Sequence, residues 1–516
     1  MRRGIPFKGQ ETSGGGAIKK SVITIDMNLS FSADTFIARV LLCFLSGILL
    51  VLAFPPYRVF PLAWVALVPL FLAVRHAGTV QRGFLGLLFG VVYLGGVLSW
   101  IGVFGAHAWV AFALFYSIPT VLFALTYGLP SFRDTWWTIP FLWITAEWLR
   151  AQGPTGITWG GIGYSQVPWL EIVQLASVTG VYGITFLIVL VNALVLHLSS
   201  PLRWRKLWVP ALIVLAAHLA GTFLTPRQAE AGNPVLISAV QPNIDQSVKW
   251  DRRYFAETLS ILKDLTLRVS AAHPDLVIWP ETAVPGNVLT DPLLLAGLSD
   301  LARRSGTTLV FGAPDQDREQ RFYNAVIAIT KQGSLLDAYR KVHLVPFGEY
   351  VPGGKWIGSW KIFERVGRFS PGKEMTVFDS EKVSFSALVC FESSFPYLAR
   401  KAVNNGARLL LVLTNDAWFG RSAASDQHFD FAVFRAVENR VHVVQVANTG
   451  ITGVVDPAGR TLGRTDLFKQ TTLSETVSGN DSRTLHRRLG DWPAFLCLAV
   501  TGIFLFRNMG RRPVRP

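Results

Sequence analysis

The sequence predicts a bundle of about eight α-helical membrane spans holding one extracytoplasmic α/β domain. Two features of composition and one of pattern predict it. Half of the 516 residues are apolar and only 16% are charged, against about 25% in ordinary soluble chains. Apolar runs crowd residues 36–225 and return near 490–507. Between them, residues 226–488 alternate short β-like runs with amphipathic helical stretches, the signature of a buried sheet flanked by helices.

Residues 1–35 are polar and Gly/Ser-containing, with Arg2, Arg3, Lys19 and Lys20, and predict a disordered segment. The first apolar run lies too far along for a cleavable signal, and Met27 is an alternative start. Spans are expected near 37–54, 60–74, 83–104, 107–129, 135–150, 172–198 and 207–224, so that residues 36–225 form the bundle. Residues 489–516 add a final helix near 490–507 and a basic tail. Several of these runs are shorter than the roughly 20 residues of a bilayer crossing, which leaves their boundaries loose. Glu147 and Glu171, costly near a bilayer, fall at span ends and are expected at the interface.

Orientation follows from positive charge, which collects on the cytoplasmic side. An internal N-terminus places Arg75, Arg82, Arg133, Arg203, Arg205 and Lys206 inside, with Arg507, Arg511, Arg512 and Arg515. The alternate loops hold little: Arg58 near 55–59, and neither Lys nor Arg between residues 151 and 170. Residues 226–488 are thereby expected outside, tied to the bundle at both ends. Strands are expected at 235–240, 276–279, 308–311, 325–330, 383–389, 409–413 and 443–446, and helices at 255–270 and 291–304.

The formal charge is +15, yet the basic residues are dispersed among apolar runs without the interleaved aromatics of a nucleic-acid surface. Membrane flanks explain the excess, and no nucleic-acid partner is expected. Three cysteines, two of them within apolar runs, make no disulfide framework. No Cys/His cluster has metal-ligand spacing, so no metal and no cofactor are expected.

The third cysteine, Cys390, ends the β-rich run before Phe391-Glu392-Ser393-Ser394. A cysteine that closes a strand at a turn can present its sulfur at the sheet edge. Upstream stand Glu281 in Trp279-Pro-Glu-Thr282 and Lys341 in Tyr339-Arg-Lys-Val-His343. A thiol of ordinary pKa, about 8.5, needs a base or a positive field. A carboxylate of raised pKa can be the base, and an ammonium can hold the thiolate and then an oxyanion. Each residue alone reads as ordinary: a small buried hydrophobe, a loop carboxylate, a solvated strand end. Their conjunction in one domain points to acyl transfer through a thioester.

These segments resemble the Glu-Lys-Cys triad of the nitrilase superfamily, whose fold is an αββα sandwich. With the membrane spans, the chain beyond about residue 36 resembles the apolipoprotein N-acyltransferase family. The resemblance is carried by Gln241-Pro-Asn-Ile-Asp-Gln-Ser-Val-Lys-Trp250, Trp279-Pro-Glu-Thr282, Phe322-Tyr-Asn324, Lys341-Val-His-Leu-Val-Pro-Phe-Gly-Glu-Tyr-Val-Pro352 and Thr414-Asn-Asp-Ala-Trp-Phe-Gly420. It implies Glu281 as general base, Lys341 as oxyanion support and Cys390 as acyl carrier. Glu349 would orient the lysine, Glu392 would support the nucleophile, and the Phe391 amide would be a second oxyanion donor. Family members often have tyrosine at Phe391, so a hydroxyl there is lost. Trp250 and Trp418 match aromatics near the substrate entrance and can equally be core or interfacial anchors. Asn324 and Asn415 are candidates for substrate binding, though with Asn448 they can instead brace loops. His343 and His428 are expected to be structural, since the glutamate already supplies a base.

The resemblance further implies a ping-pong reaction. Cys390 would take an acyl chain from the sn-1 ester of a phospholipid, phosphatidylethanolamine above all, and pass it to a diacylglyceryl-apolipoprotein. The implied setting is a bacterial inner membrane with the domain in the periplasm, both termini cytoplasmic and the protein a monomer. Loops 345–354 and 356–370, rich in Gly and aromatics, are expected lids. The rival readings are a membrane-tethered amidase with the same triad, and a lipoprotein-handling protein without activity.

Overall fold

The structure, a computed structural model, describes residues 35–199, 203–226, 232–249, 251–353, 367 and 369–509. The expected polar N-terminal segment, Trp250, most of loop 356–370 and the basic residues beyond 509 lie outside the described residues.

Among the described residues, four helices are long and apolar enough to cross a membrane: Phe36–Ala53, Thr79–Val97, Ala106–Tyr127 and Ala176–Leu198. Shorter apolar helices lie at Phe60–Arg75, Trp208–Leu224 and Trp492–Asn508. Expected and observed elements differ where local chemistry interrupts the apolar run. The 60–74 run is a 3-10 turn, Phe60–Trp64, then a helix, Val68–Arg75, each with a proline in its first turn. Ala106–Tyr127 breaks at Ser117, whose hydroxyl bonds back to the Ala113 carbonyl just before Pro119. The 135–150 run is a 3-10 turn over Trp136–Thr138 and α-helical only over Ile139–Arg150. Twelve residues at about 1.5 Å each reach about 18 Å, well short of a hydrocarbon core of about 30 Å. Glu147, expected at an interface, is instead buried inside the bundle. It accepts hydrogen bonds from Thr185, Trp143 and the Ile162 amide, so its environment supplies what water would have. Leu212, Leu215, Leu219 and Phe223 are exposed along Trp208–Leu224. Their spacing makes one apolar stripe on the outside of the bundle.

The second part is two six-stranded sheets. The first contains β1 (Pro234–Gln241), β2 (Leu276–Ile278), β3 (Thr308–Gln316), β4 (Phe322–Ile329) and β5 (Leu335–Arg340). The second contains β6 (Phe378–Asp379), β7 (Ser384–Val389), β8 (Leu409–Thr414), β9 (His442–Ala447), β10 (Gly453–Val455) and β11 (Thr461–Arg464). The last strand, β12 (Thr471–Ser478), returns to pair antiparallel with β1. β1, β2 and β3 run parallel, as do β7, β8 and β9, and the remaining pairs are antiparallel. All seven expected strands are present; β5, β6, β10, β11 and β12 were not expected. β5, β11 and β12 expose polar residues such as Asp337, Arg464 and Thr476, which hides them from an apolar-run criterion.

Strand alternation splits each sheet into two faces. Ile237, Ala239, Leu276, Ile278, Val310 and Val326 share a core with Ala387, Val389 and Leu411 of the second sheet. Val277, Leu309, Phe311 and Ile327 point the other way, onto Leu262 and Leu298 of the outer helices Phe255–Ser270 and Pro292–Ser305. Asp291 caps the latter helix by accepting from the Leu293 and Leu294 amides, Pro292 opens it, and Gly306 closes it at φ +63°. Helices Pro396–Asn404 and Ala424–Asn439 cover the second sheet, completing four layers. Ala424–Asn439 is buried along its whole length because its far side packs on Ala176–Leu198 of the bundle. That contact sets the mouth of the sandwich against the membrane helices.

Candidate active site

β7 ends at Val389, and the chain turns at once into the 3-10 segment Cys390–Ser394. Cys390 adopts φ +52°, the left-handed region, which costs a non-glycine residue about 1–2 kcal/mol. That strain turns the half-buried Cys390 out at the strand end, whereas Cys43 and Cys497 are buried in the bundle. The Phe391 ring stacks on Trp159 of the bundle at 6.0 Å and meets Phe395 edge-on at 5.0 Å.

Glu281 follows β2 by three residues. Gly312 of β3 makes room for it, since a Cβ there would lie 2.4 Å from the Thr282 nitrogen and 2.7 Å from the Glu281 Cα. Lys341 follows β5 and is 1% exposed, held by its amide on the Asn324 carbonyl. Its Nζ lies 2.8 Å from Glu349 Oε2 and 4.0 Å from Glu281 Oε1. Asn324 Nδ2 donates to both carboxylates, at 2.7 Å to Glu281 and 2.9 Å to Glu349. Glu349 also accepts from the Val345 amide. The expected lysine, two carboxylates and Asn324 thus form one closed cluster.

Glu392 is fully buried beside this cluster. It accepts from the amides of Val342, His343 and Val389 and from the Tyr339 hydroxyl, at 2.7–2.9 Å. It therefore ties the Lys341 loop to the Cys390 turn. Trp418 is half exposed on the 3-10 turn Asp416–Phe419. Asn415 donates to Gln246 and accepts from Asn448, which holds two loops together. His343 donates its amide to Glu392, and its ring lies against Phe395 and the Tyr397 hydroxyl.

Four participants were not singled out from the sequence. Lys249 is buried and donates to the Glu281 carbonyl at 3.0 Å. It lay within the quoted Gln241–Trp250 motif, and its chemistry was the available signal. Thr414, at the end of β8, lies beside the Cys390 thiol and donates to Asp416 at 2.7 Å. Asp416 holds His428 Nδ1 at 2.9 Å, and His428 Nε2 faces the Cys390 carbonyl at 3.0 Å and Ser393 Oγ at 2.9 Å. Trp159, from the bundle, had no sequence signal at all. Cys390, Asp416 and His428 offer atoms within 4.8 Å of one another, the spacing of a metal site. Both histidine nitrogens already face hydrogen-bond partners, which makes the group a bonded network rather than an open ligand set.

Electrostatics follow from burial and charge pairing. Burial raises the Cys390 thiol well above its usual range, and the Glu281 carboxylate adds to that while Lys341 opposes it. Burial also raises Glu281, with Glu349 adding and Lys341 and Lys249 opposing. Burial alone would lower Lys341, yet Glu349 and then Glu281 hold it above the ordinary lysine range. Lys249 lacks an equal counter-charge, and burial brings it down to about 8. Burial would likewise lower His428, but Asp416 raises it, so the ring can donate on both sides. A resting thiol beside a carboxylate of raised pKa and a permanent ammonium can move its proton to the carboxylate as it attacks.

A four-layer sandwich with such a thiol site, set against apolar helices, defines a membrane-integrated member of the carbon–nitrogen hydrolase class. Residues 236–487 match the family model for carbon-nitrogen hydrolase. Residues 46–194 match the apolipoprotein N-acyltransferase N-terminal domain. The apolipoprotein N-acyltransferase of Geobacter metallireducens is 36% identical over 488 residues, covering 90% of this chain and 94% of that one. That of Chlorobaculum tepidum is 31% identical over 502 residues, covering 89% and 94%. A nitrilase-superfamily protein of Saccharomyces cerevisiae aligns in structure at 21% identity and a TM-score of 0.39, over 48% of this chain and 90% of its own. The chain belongs to the apolipoprotein N-acyltransferase family.

Proposed function

We propose that this protein moves a fatty acyl chain from the sn-1 ester of a membrane phospholipid to the α-amino group of a diacylglyceryl-cysteine. That cysteine is the N-terminus of an apolipoprotein, and the carrier is a Cys390 thioester. One observation carries the proposal: Glu281, Lys341 and Cys390 share a single buried charge cluster whose nucleophile packs, through Phe391, directly on the bundle residue Trp159. Glu281 takes the thiol proton as sulfur attacks the ester carbonyl. Lys341 and the Phe391 amide stabilise the oxyanion, and the lysophospholipid alkoxide leaves with the proton from Glu281. The lipoprotein amine then attacks the thioester, Glu281 accepts its proton, and the thiolate is released and reprotonated.

Both substrates are anchored in lipid, and extracting acyl chains costs about 0.8 kcal/mol per CH₂. A soluble enzyme would have to meet that cost at each turnover, which is why this site is built against membrane helices. Phosphatidylethanolamine is the favoured donor and the working unit is a monomer. The chain threads a bacterial inner membrane with about eight apolar segments, with residues 226–488 in the periplasm and both termini inside. Supporting this orientation, Arg39, Arg75, Arg82 and Arg133 converge on His76 in the bundle. Arg58, from an opposite loop, pairs with Asp426 and Asp430 of the catalytic domain at 3.4 and 3.1 Å. Trp418 and Trp250 would guide chains at the entrance, while Asn324 and Asn415 hold the loops that shape it.

The test is intact-mass analysis after incubation with phosphatidylethanolamine, beside a Cys390→Ala control. A gain of one acyl chain, removed by hydroxylamine and absent from the control, is expected. A folded protein with a free thiol and no adduct would overturn the phospholipid donor.

A further inference from the structure

Behind the nucleophile lies a buried ion pair that the chemistry above does not use. Asp416 opens the 3-10 turn after β8, His428 lies on the helix Ala424–Asn439, and both are fully buried. His428 Nδ1 lies 2.9 Å from Asp416 Oδ1, which also accepts from the Thr414 hydroxyl at 2.7 Å. His428 Nε2 lies 3.0 Å from the Cys390 carbonyl oxygen and 2.9 Å from Ser393 Oγ. A carboxylate and a peptide carbonyl can only accept, so each ring nitrogen must carry a proton for both bonds to exist. The ring is therefore an imidazolium, with Asp416 as the counter-charge that offsets its burial.

The Cys390 carbonyl belongs to the peptide unit whose other end is the Phe391 N–H. That amide lies in the first turn of the 3-10 segment Cys390–Ser394, where N–H groups have no partner within the segment. One rigid plane thus carries a charged donor on its oxygen and the oxyanion donor of the proposed reaction on its nitrogen. A bond accepted at C=O draws electron density from the nitrogen and strengthens the N–H, by about 10–30% for each neighbouring bond in a chain. A charged donor is about twice as strong as a neutral one. The same bond fixes the plane. Ser393 Oγ also donates to the Cys390 carbonyl, at 3.0 Å, and the two bonds together oppose the strain of Cys390 at φ +52°. Trp159 covers the His428 ring at 5.5 Å and the Phe391 ring at 6.0 Å, so water screens neither group.

We infer that the Asp416–His428 pair serves the oxyanion hole: through the Cys390 carbonyl it fixes the Cys390–Phe391 peptide and strengthens the Phe391 N–H toward the developing oxyanion. The inference rests on the thioester reaction proposed above. His428 is a positioning residue that transfers no proton, and Asp416 acts through it. Both half-reactions pass through a tetrahedral intermediate on the Cys390 sulfur, so both depend on the same amide.

The test compares two reactions of Cys390 in the full-length protein in detergent, each read by intact mass beside a Cys390→Ala control. Acylation is followed in a single turnover, with phosphatidylethanolamine and separately with a short-chain p-nitrophenyl ester. Alkylation by iodoacetamide displaces iodide from a saturated carbon and forms no oxyanion, so it reports only access to the sulfur and its ionisation. Asp416→Asn is nearly isosteric. It removes the carboxylate and with it the imidazolium, so the net charge beside the sulfur is unchanged while the donor on the carbonyl becomes neutral. Acylation from either donor should slow about tenfold, and alkylation should stay within about twofold. Adding His428→Leu removes the donor altogether and should slow acylation about a hundredfold, as when an oxyanion-hole donor is lost. Should that double variant melt low, Asp416→Asn alone decides. Unchanged acylation in Asp416→Asn would overturn the inference. So would acylation and alkylation slowed by one common factor, which would show a pair that only places the sulfur. Failure of the phospholipid reading appears instead in the wild-type protein, as acylation by the p-nitrophenyl ester without acylation by phosphatidylethanolamine. A wild-type protein acylated by neither donor would overturn the oxyanion chemistry and this inference with it.

Discussion

Replacing Glu349 with Gln tests the charge logic of the site. Glu349 has two effects: it fixes Lys341 Nζ at 2.8 Å, and its negative charge helps raise Glu281. The two carboxylates accept from one Asn324 nitrogen at 2.7 and 2.9 Å. Their oxygens are thus about 5 Å apart, where two unit charges at an effective dielectric of about 20 interact by about 3 kcal/mol. That is an upper bound of about two pKa units, and the partial exposure of the site reduces it to about one. Removing the charge therefore lowers the Glu281 pKa. Lys341, released from Glu349 and already 4.0 Å from Glu281, moves toward it and lowers it further. Glu281 is then charged at more acidic pH but is a weaker base. In single-turnover acylation, read by intact mass from pH 4 to 9 (an assay range set by the ordinary carboxylate and thiol pKa values of about 4 and 8.5), the acid limb should move to lower pH by about one unit. The plateau rate should fall about a hundredfold, the loss of roughly 3 kcal/mol of oriented ammonium. An acid limb that stays in place or moves upward, in a protein with unchanged melting, would refute the account of Glu349.

Lys249→Met should produce the opposite shift. Lys249 lowers Glu281, so its removal raises that pKa, moves the acid limb of the same profile upward and slows acylation at neutral pH; a downward shift would contradict the assignment. Glu392→Gln should act on stability rather than on the pH profile. The new amide puts N–H donors against either the Val389 amide or the Val342 and His343 amides, costing about 1–3 kcal/mol. A clear drop in melting temperature with an unshifted acid limb is expected, and unchanged melting would show that the carboxylate is dispensable as a tie.

The sequence by itself determined the division into apolar helices and an α/β domain, and it determined the seven strands built from apolar runs. Val-, Leu- and Ile-rich runs such as β8 and β9 are buried on both faces and advertise themselves at any distance from their partners. It also marked the residues of the charge cluster, because Glu281, Lys341 and Cys390 sit in frames unlike their surroundings. Only the tertiary structure decided how these residues meet. Asn324 as a bridge between two carboxylates, Glu392 as a tie between two loops, and Lys249 beneath Glu281 all depend on segments far apart in the chain. Edge strands such as β11 and β12 were invisible because their exposed faces carry polar residues. The kink at Ser117 and the short helix ending at Arg150 escaped for another reason: hydropathy reports the mean composition of a run, not the hydrogen bonds that interrupt it. Burial of Glu147 and of Arg150 is likewise a property of what surrounds them, since only packing decides whether a charged side chain meets water or a partner.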